Sequence, residues 1–266
     1  MGRLFAAGLF PGLMLAVMYI IYIGVRCHLQ PEMGPSLPVE ERATWKEKLK
    51  MTRSLILPAG LVVLVLGSIL LGITSPTEAS AMGAFGALLC AAIRGRFTWD
   101  LLKNSSLQTV KLAGFHFWMI TGAIVYSKIF TGLGATEMLK SAISGLEVSP
   151  WIVLIIMQLS FFVLGTFLDD IAIIFICMPI YIPIITALGF DPVWFAILFI
   201  INMQMAYLTP PYGINLFYMR AVAPKEIVLG DIYRSVIPFV AIQAIGLAII
   251  MIFPEIALYL PRLLFK

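Results

Sequence analysis

Two acidic residues lie where an otherwise apolar sequence would least tolerate charge. Asp169 and Asp170 stand between two long apolar stretches, and Gly165 and Thr166 supply a small residue and a hydroxyl just before them. A carboxylate near the centre of a bilayer costs about 2.5–3.5 kcal/mol on insertion scales, so it persists where it faces a cavity, an ion or a partner. These residues form one candidate ion site, with an ordinary exposed turn as the alternative.

A second candidate site is built around two adjacent prolines. Pro210 and Pro211 lack backbone N–H donors, which leaves carbonyl groups one turn earlier without helical partners. Unpaired carbonyls inside a membrane must face protein, water or an ion. Together with the Thr209 hydroxyl, the Asn215 amide and the backbone around Gly213, they offer hard oxygen ligands that suit sodium. A half-helix beginning near Pro211 would also direct its positive end at this break and favour an anion. A structural proline kink is the alternative.

A third cluster combines three hydroxyls and an acid around Pro76. Thr77 is predicted to cap a helix that begins at Glu78, with Thr74 and Ser75 in an external turn. In the alternative interpretation, Thr74, Ser75, Thr77 and Glu78 all lie beside the ion site.

Other polar residues carry weaker signals. Asn202 and Gln204 lie within an apolar stretch, where they either hydrogen-bond between helices or contact a ligand. The three cysteines are odd in number and lie in or beside apolar runs, which argues against a disulfide framework. No Cys/His cluster has the spacing of a metal site, and His116 is interpreted as an interfacial or helix-packing histidine.

The composition indicates that a membrane surrounds these residues. The chain has 266 residues, 61% of them hydrophobic and 12% charged, whereas a soluble domain is about half apolar and about a quarter charged. A helix needs about 20 apolar residues to cross a bilayer, and several such stretches occur, so the fold class is all-α and polytopic. Leu4–Val25 is too long for the apolar core of a signal peptide. The basic residues lie in loops, which favours membrane orientation over nucleic-acid binding.

Apolar stretches and their breaks predict the order of the elements. Thr44–Met51 is predicted to be a short amphipathic helix at the membrane surface. Pro150–Leu168 and Ile171–Leu188 are predicted to form a helical hairpin, and Val193–Val222 a helix broken at its Thr-Pro-Pro segment. The other predicted spans are Leu4–Val25, Ser54–Ile73, Ala79–Ile93, Leu112–Leu133 and Ile237–Leu260.

The distribution of Lys and Arg predicts the orientation. Assigning Arg26–Arg53, Arg94–Lys111 and Arg220–Arg234 to the cytoplasm places 13 of the 18 basic residues there, but only seven of the 14 acids. This asymmetry is expected because basic residues set topology. The C-terminus is then outside, and Pro150–Leu188 returns to the side from which it entered. This re-entrant hairpin is favoured over two full spans because no basic residue holds its tip in the cytoplasm. A hairpin with a broken helix is typical of secondary transporters.

These assignments divide the chain into five segments. Residues 1–26 form a transmembrane helix, 27–53 a cytoplasmic loop with the amphipathic segment, 54–133 transmembrane helices, 134–223 the hairpin and broken helix of a transport domain, and 224–266 a cytoplasmic loop and the last transmembrane helix. Because polar groups in a membrane need mutual satisfaction, we expect Thr74–Leu89 and Gly165–Asn215 to converge on one site near mid-membrane. Asp169, Thr209 and Asn215 are its sodium candidates.

Three ordered motifs resemble the large membrane subunit of tripartite ATP-independent periplasmic (TRAP) transporters. GITSPTEASAMGAFGALL (Gly72–Leu89) resembles its Thr-Pro-Thr-Glu-Ala segment, GTFLDDIAIIFICMPIYIPI (Gly165–Ile184) its second hairpin, and NMQMAYLTPPYGINLFYMRAVAP (Asn202–Pro224) its second broken helix. The resemblance runs over nearly all of the chain. The motif forms are closest to the subgroup associated with α-keto acids, mannitol-like and chloroaromatic compounds.

The resemblance implies sodium-driven symport of an organic carboxylate by an elevator-like movement of a transport domain. It also implies a small membrane subunit and a periplasmic binding protein as partners, a multi-pass location in the bacterial inner membrane, and no cofactor beyond sodium as the coupling ion. The family has two inverted repeats, whereas this sequence has one hairpin and one Pro-Pro break. It therefore corresponds to the C-terminal half, with Asp169 matching the family's acid and Asp170 extra. One half of a split permease, or a non-transporting remnant, is the alternative.

An intramembrane aspartyl protease is a rival of a different class. That chemistry needs two carboxyl groups that share a proton across separate helices. Asp169 and Asp170 are adjacent, and adjacent residues of a helix do not face each other. The sequence therefore predicts a transporter rather than an enzyme.

Overall fold

The computed structural model describes residues 2–34, 44–135, 137–138, 141, 148–211, 213–224 and 227–265, and this part of the chain is helical without strands. The all-α prediction is thereby confirmed for the described residues. Parts of the predicted segments 27–53, 134–223 and 224–266 lie outside them. The helices are α1 (Gly2–Leu29), α2 (Trp45–Leu70), α3 (Pro76–Ile93), α4 (Trp99–Gly132), α5 (Pro150–Gly165), α6 (Asp170–Ala187), α7 (Pro192–Ala206), α8 (Ile214–Val222), α9 (Leu229–Ile252) and α10 (Glu255–Leu264).

Four of the described helices, α1, α3, α6 and α9, are long and apolar enough to cross a membrane. Leu55–Leu70, α5 and α7 are apolar but shorter. The predicted span Leu112–Leu133 lies, except for its last residue, within α4, a helix of 34 residues that begins at Trp99 and ends at Gly132. The polar segment before Leu112 is therefore helical and not a loop, since it contains neither proline nor glycine to end the helix.

Contacts divide the chain into two compact units. The first contains Met1–Ala6, Val17–Val110 and Pro261–Lys266, and the second contains Ala7–Ala16 and Lys111–Leu260.

Helices α2 and α3 pack together in the first unit. A Cβ added at Gly86 would overlap Leu61 Cδ1, so a glycine on α3 permits close approach of the two helices. Helix α2 begins with a capping box in which Thr44 and Glu47 bond each other's backbone N–H groups. Hydrogen bonds from the Thr44 backbone and hydroxyl lower the pKa of the Glu47 carboxyl. The prediction of a separate amphipathic helix over Thr44–Met51 is wrong, because this segment forms the first turns of the continuous helix α2.

Helices α5, α6 and α7 form the core of the second unit. Contacts between α5 and α7 follow the same chain direction in both helices, which are therefore parallel: Trp151 with Trp194, Gln158 with Asn202, and Gly165 with Ala206. Helix α6 returns antiparallel to α5, and the Tyr181 hydroxyl lies 2.7 Å from Ser160 Oγ. The fully buried ring of Phe161 packs against Phe195 and Phe199.

Helix α9 packs antiparallel on α7. The buried Trp194 Nε1–H donates to the Ile250 carbonyl at 2.9 Å. The predicted single span Ile237–Leu260 is wrong, since α9 ends at Ile252 and α10 begins at Glu255. Phe253 has φ −117° and ψ 77°, because a residue before proline, here Pro254, is disfavoured in the helical region.

Candidate functional site

The tip of the α5–α6 hairpin carries the two acids. Helix α5 ends at Gly165, and Asp169 caps α6, its Oδ2 accepting the Ile171 N–H at 3.3 Å. Both Asp169 and Asp170 are half-buried. The Thr166 side chain is 8% exposed and its hydroxyl donates to the Val163 carbonyl at 2.7 Å. The tip thus holds the Asp169 carboxyl by a hydrogen bond from the backbone of α6.

His116 on α4 is a partner of the tip that the sequence interpretation missed. Its imidazole is half-buried and lies near enough to Asp169 for an electrostatic interaction. The Nδ1 atom lies 2.6 Å from the Leu112 carbonyl, and because a carbonyl oxygen only accepts, Nδ1 donates this hydrogen bond. The only feature of the sequence that points to His116 is its position as an isolated histidine in a predicted span, and a histidine that packs between helices would give the same pattern.

The predicted break in the long helix is present between α7 and α8. Helix α7 ends at Ala206 and α8 begins at Ile214, three residues after the expected start at Pro211. The start lies later because Gly213 precedes α8 with φ 33°, a left-handed conformation that favours glycine. A Cβ at Gly213 would also lie 2.8 Å from Leu216 Cδ1. Glycine is therefore needed at this position both for backbone conformation and for space.

Local hydrogen bonds satisfy several carbonyls that the prolines were expected to leave free. The carbonyls one turn before the two prolines belong to Ala206 and Tyr207. The Thr209 N–H donates to the Ala206 carbonyl at 3.0 Å, and the Asn215 N–H donates to the Tyr207 carbonyl at 3.3 Å, so both have protein partners, contrary to the prediction. The Thr209 hydroxyl donates to the Met205 carbonyl at 2.8 Å. The half-buried Thr209 hydroxyl oxygen keeps lone pairs for a ligand, whereas Pro210, Pro211 and Asn215 are exposed.

The hairpin tip and the helix break follow helix ends at the same level of the second unit. Because α5 and α7 are parallel, Gly165 and Ala206 end them side by side. A Cβ added at Gly165 would lie only 2.6 Å from Ala206 Cβ and 3.0 Å from Met203 Cε. Asp169 follows the first end by four residues and Thr209 follows the second by three. The tertiary structure thus brings together the two elements that carry the strongest sequence motifs.

Asn202 joins α7 to α5. Its side chain is 1% exposed, and its Nδ2 donates to the Gln158 carbonyl at 2.7 Å and to Gln158 Oε1 at 3.1 Å. Of the two interpretations of Asn202, these contacts support hydrogen bonding between helices. The residue lies about a helical turn before the α7 terminus, next to the site rather than at the break.

The Thr74–Glu78 cluster belongs to the first unit and forms a helix cap. Ser75 precedes α3, its N–H donating to Glu78 Oε2 at 2.7 Å and its Oγ accepting the Glu78 N–H at 3.3 Å. The prediction that Thr77 caps a helix from Glu78 is wrong, because Pro76 takes the first helical position and Ser75 completes the capping box. Thr77 is exposed, and the Thr74 hydroxyl donates to Ser68 Oγ at 2.8 Å. Convergence of this cluster with the hairpin joins residues of two units and stays a prediction.

Comparison with known proteins identifies the family. A family model described as "Tripartite ATP-independent periplasmic transporter, DctM component" matches residues 1–256. The chain belongs to the DctM family. A C4-dicarboxylate TRAP transporter large permease protein of Pseudomonas aeruginosa is 31% identical over 264 residues, covering 98% of this chain and 60% of the relative. An ectoine TRAP transporter large permease protein of Halomonas elongata is 30% identical over 270 residues, covering 100% and 61%. A sialic acid TRAP transporter large permease protein of Vibrio cholerae is 28% identical over 263 residues, covering 98% and 60%.

Membership of the DctM family decides two of the sequence interpretations. The family consists of transporter permeases and not enzymes, so the aspartyl protease alternative is wrong. A membrane transporter family agrees with the several apolar helices of this chain, as in a multi-pass membrane protein. The chain spans about 60% of the length of the Pseudomonas and Vibrio relatives.

Proposed function

We propose that this DctM chain is the C-terminal portion of the large permease subunit of a sodium-coupled organic acid transporter. The observation that carries the proposal is the side-by-side ending of α5 and α7 at Gly165 and Ala206. This contact supports the proposal, because the acidic hairpin tip and the helix break follow these two helix ends and together could enclose a ligand.

Sodium binds in this proposal between Asp169 on the hairpin tip and Thr209 with Asn215 at the break. The carboxylate supplies the charge, and the hydroxyl and amide oxygens are hard ligands of the kind that small cations prefer. Sodium would offset the repulsion between these oxygens, so its binding closes the hairpin onto the break. The hairpin is then re-entrant and moves with the transport domain in an elevator-like cycle.

Helix α8 supplies a matching site for an anionic substrate. Its nine residues begin at Ile214, so the positive end of the helix dipole faces the break and favours a carboxylate there. The Asn215 N–H is not one of the donors in this proposal, since it bonds the Tyr207 carbonyl. Relatives are named for C4-dicarboxylates, ectoine and sialic acid, so an organic acid is the substrate class we propose, with the α-keto acid, mannitol and chloroaromatic subgroup as the narrower prediction.

A small membrane subunit and a periplasmic binding protein complete the proposed transporter in the bacterial inner membrane. The binding protein selects the substrate and delivers it to the permease. A first inverted repeat is the remaining part of the transport domain in this proposal. One half of a split permease or a non-transporting remnant is the alternative, and a coding segment for a first hairpin and broken helix next to this one would favour a permease over the remnant.

Reconstituted uptake tests the proposed function. The chain is combined in proteoliposomes with a first-repeat polypeptide, the small subunit and the binding protein, and uptake of radiolabelled organic acids is measured. We expect accumulation with an inward sodium gradient and not with an equal potassium gradient. Uptake that ignores the choice of cation would refute sodium coupling. Absence of uptake for every organic acid that the binding protein binds would support the alternative of a non-transporting remnant.

A further inference from the structure

A cavity that the proposed transport chemistry does not use lies in the first unit. Its volume is about 420 Å³, and it is bounded by α2, the end of α3 and the start of α4. The polar lining residues are Arg94, Arg96 and Thr98. Pro58, Ala91 and Leu101 are its apolar lining residues, and Cys90 completes the lining. Two arginines therefore line one cavity together with apolar residues.

The end of α3 fixes the two arginines on either side of a glycine turn. The Arg96 N–H donates to the Ala91 carbonyl at 2.9 Å, and the Gly95 N–H donates to the Ala92 carbonyl at 2.9 Å. With φ 65° at Gly95, these bonds form a Schellman motif, which ends a helix with its carbonyls satisfied. The backbone of this turn is thus held by its own hydrogen bonds while Arg94 and Arg96 both line the cavity.

The surroundings of the cavity match the polar boundary of a membrane. Residues 94–111 include four basic residues and one acid, Asp100. Phe97 is 46% exposed and Trp99 is 74% exposed, and tryptophan is enriched where membrane and water meet. The Thr98 hydroxyl accepts the Leu101 N–H at 3.1 Å and so begins α4 beside the arginines. The cavity therefore combines positive charge with apolar lining residues, and an exposed tryptophan lies beside it at the start of α4.

We propose that this cavity binds an anionic phospholipid. Arg94 and Arg96 hold the headgroup phosphate, since the planar guanidinium group matches phosphate oxygens in a fork-like geometry. The wall of Pro58, Ala91 and Leu101 accommodates the adjoining part of an acyl chain. Basic pockets between membrane helices are known to bind such headgroups. Two simpler roles could explain the positive charge of Arg94 and Arg96, namely interaction with the C-terminal end of the α3 dipole or membrane orientation. Neither role requires a cavity with apolar walls.

Native mass spectrometry of the full chain with added lipid tests this site. Phosphatidylglycerol supplies the anionic headgroup, and phosphatidylethanolamine is the zwitterionic comparison. We expect Arg94→Gln and Arg96→Gln each to retain about fivefold less phosphatidylglycerol, because one basic residue near a membrane surface contributes about 1 kcal/mol of attraction. Lys103→Gln is the matched control, since Lys103 lies in the same basic segment but does not line the cavity, and it should retain lipid like the parent.

Four results would overturn the lipid site. The first two are equal retention of phosphatidylglycerol by the parent and both arginine variants, and a loss in Lys103→Gln as large as in the arginine variants. The third is retention of phosphatidylethanolamine equal to that of phosphatidylglycerol. The fourth is displacement of the lipid by soluble glycerol 3-phosphate at the same concentration, which would indicate a plain anion site. Circular dichroism checks that the variants fold. If a glutamine variant unfolds, Arg94→Lys and Arg96→Lys keep the charge without the guanidinium geometry, and both should show a smaller but measurable loss.

Discussion

At the residue scale, Asp169 has a structural role and a proposed ligand role that substitution can separate. Its Oδ2 caps α6 through the Ile171 N–H, and asparagine is about as good a cap as aspartate. A change to asparagine therefore removes the charge while it keeps the hydrogen bond. Asp170 next to it begins the helix itself and offers the same change of charge one residue away.

Asp169→Asn should weaken sodium dependence far more than folding. Losing a charged ligand worth about 1.5–3 kcal/mol should raise the half-saturating sodium concentration for uptake about tenfold or more. The melting temperature should stay close to that of the parent. Sodium titration of uptake in the reconstituted system measures the effect, with Asp170→Asn as the control. If only Asp170→Asn shifts the sodium titration, the assignment of the acid to Asp169 is wrong.

Asn202→Ala should destabilise the chain by about 1–2 kcal/mol. The substitution removes both hydrogen bonds from Asn202 Nδ2 to Gln158, and the buried backbone carbonyl and side-chain Oε1 of Gln158 then lose this donor. The measurement is the free energy of unfolding in mixed micelles. Gln204→Ala on the same helix is the control, since Gln204 is exposed and surface changes stay within about 0.5 kcal/mol. Equal effects of the two substitutions would contradict a role for Asn202 in joining α5 to α7.

At the element scale, the ends of helices decide where polar groups lie. The break between α7 and α8 depends on the prolines, which exclude the helical hydrogen bonds, and on Gly213, which begins α8 from the left-handed region. The same logic applies at Ser75, where a capping box moves the start of α3 two residues upstream of the expected position. Side chains near these ends are aimed by the cap and not by the apolar pattern.

Gly213→Ala should lower both stability and uptake. An alanine at φ 33° costs about 1–2 kcal/mol of backbone energy, and its Cβ would press on Leu216. Thermal unfolding of the purified chain and the uptake assay measure the two effects. Gly114→Ala in α4 is the control, because a Cβ there meets nothing within 4 Å, and a helical alanine should be neutral or stabilising by up to about 1 kcal/mol. A Gly213→Ala protein as stable as the parent would show that the backbone at the break can relax.

At the scale of the whole molecule, orientation follows from charge and remains a prediction. The basic residues lie mainly in three segments, and transfer of Lys and Arg across a membrane is disfavoured during insertion. The predicted orientation also keeps the hairpin tip away from the cytoplasmic surface. The predicted location of the ion site therefore depends on the predicted orientation of the helices in the membrane.

Labelling of single cysteines tests the orientation. With Cys27, Cys90 and Cys177 replaced by alanine, Glu47→Cys should resist an impermeant thiol reagent added outside intact cells, whereas Leu264→Cys near the C-terminus should react. Labelling of both after cell lysis shows that each cysteine is reactive. Strong external labelling at position 47 would reverse the whole topology.

Much of the fold could be predicted from local chemistry. Long apolar stretches indicate helices, adjacent prolines indicate the break at Pro210 and Pro211, and a charged pair indicates the hairpin tip at Asp169, because each signal depends on residues close in sequence. The errors at Thr77 and over Ile237–Leu260 also have local causes, in a capping box and in Pro254. In the sequence alone, the charge at Arg94 and Arg96 indicates membrane orientation, because the sequence does not show that Pro58 lies beside these arginines.

Local patterns in the sequence suffice to predict an all-helical chain with apolar helices suited to a membrane, a break at Pro210 and Pro211 and a charged turn at Asp169. They also carry the resemblance that the DctM family match confirms. The parallel arrangement of α5 and α7, which end together at Gly165 and Ala206, is visible only in how the helices pack. The tertiary structure also decided that Asn202 bonds Gln158, a residue 44 positions earlier in the chain. The physical reason is that hydropathy and capping are local properties, whereas helix pairing depends on the complementary shapes of side chains from distant parts of the sequence.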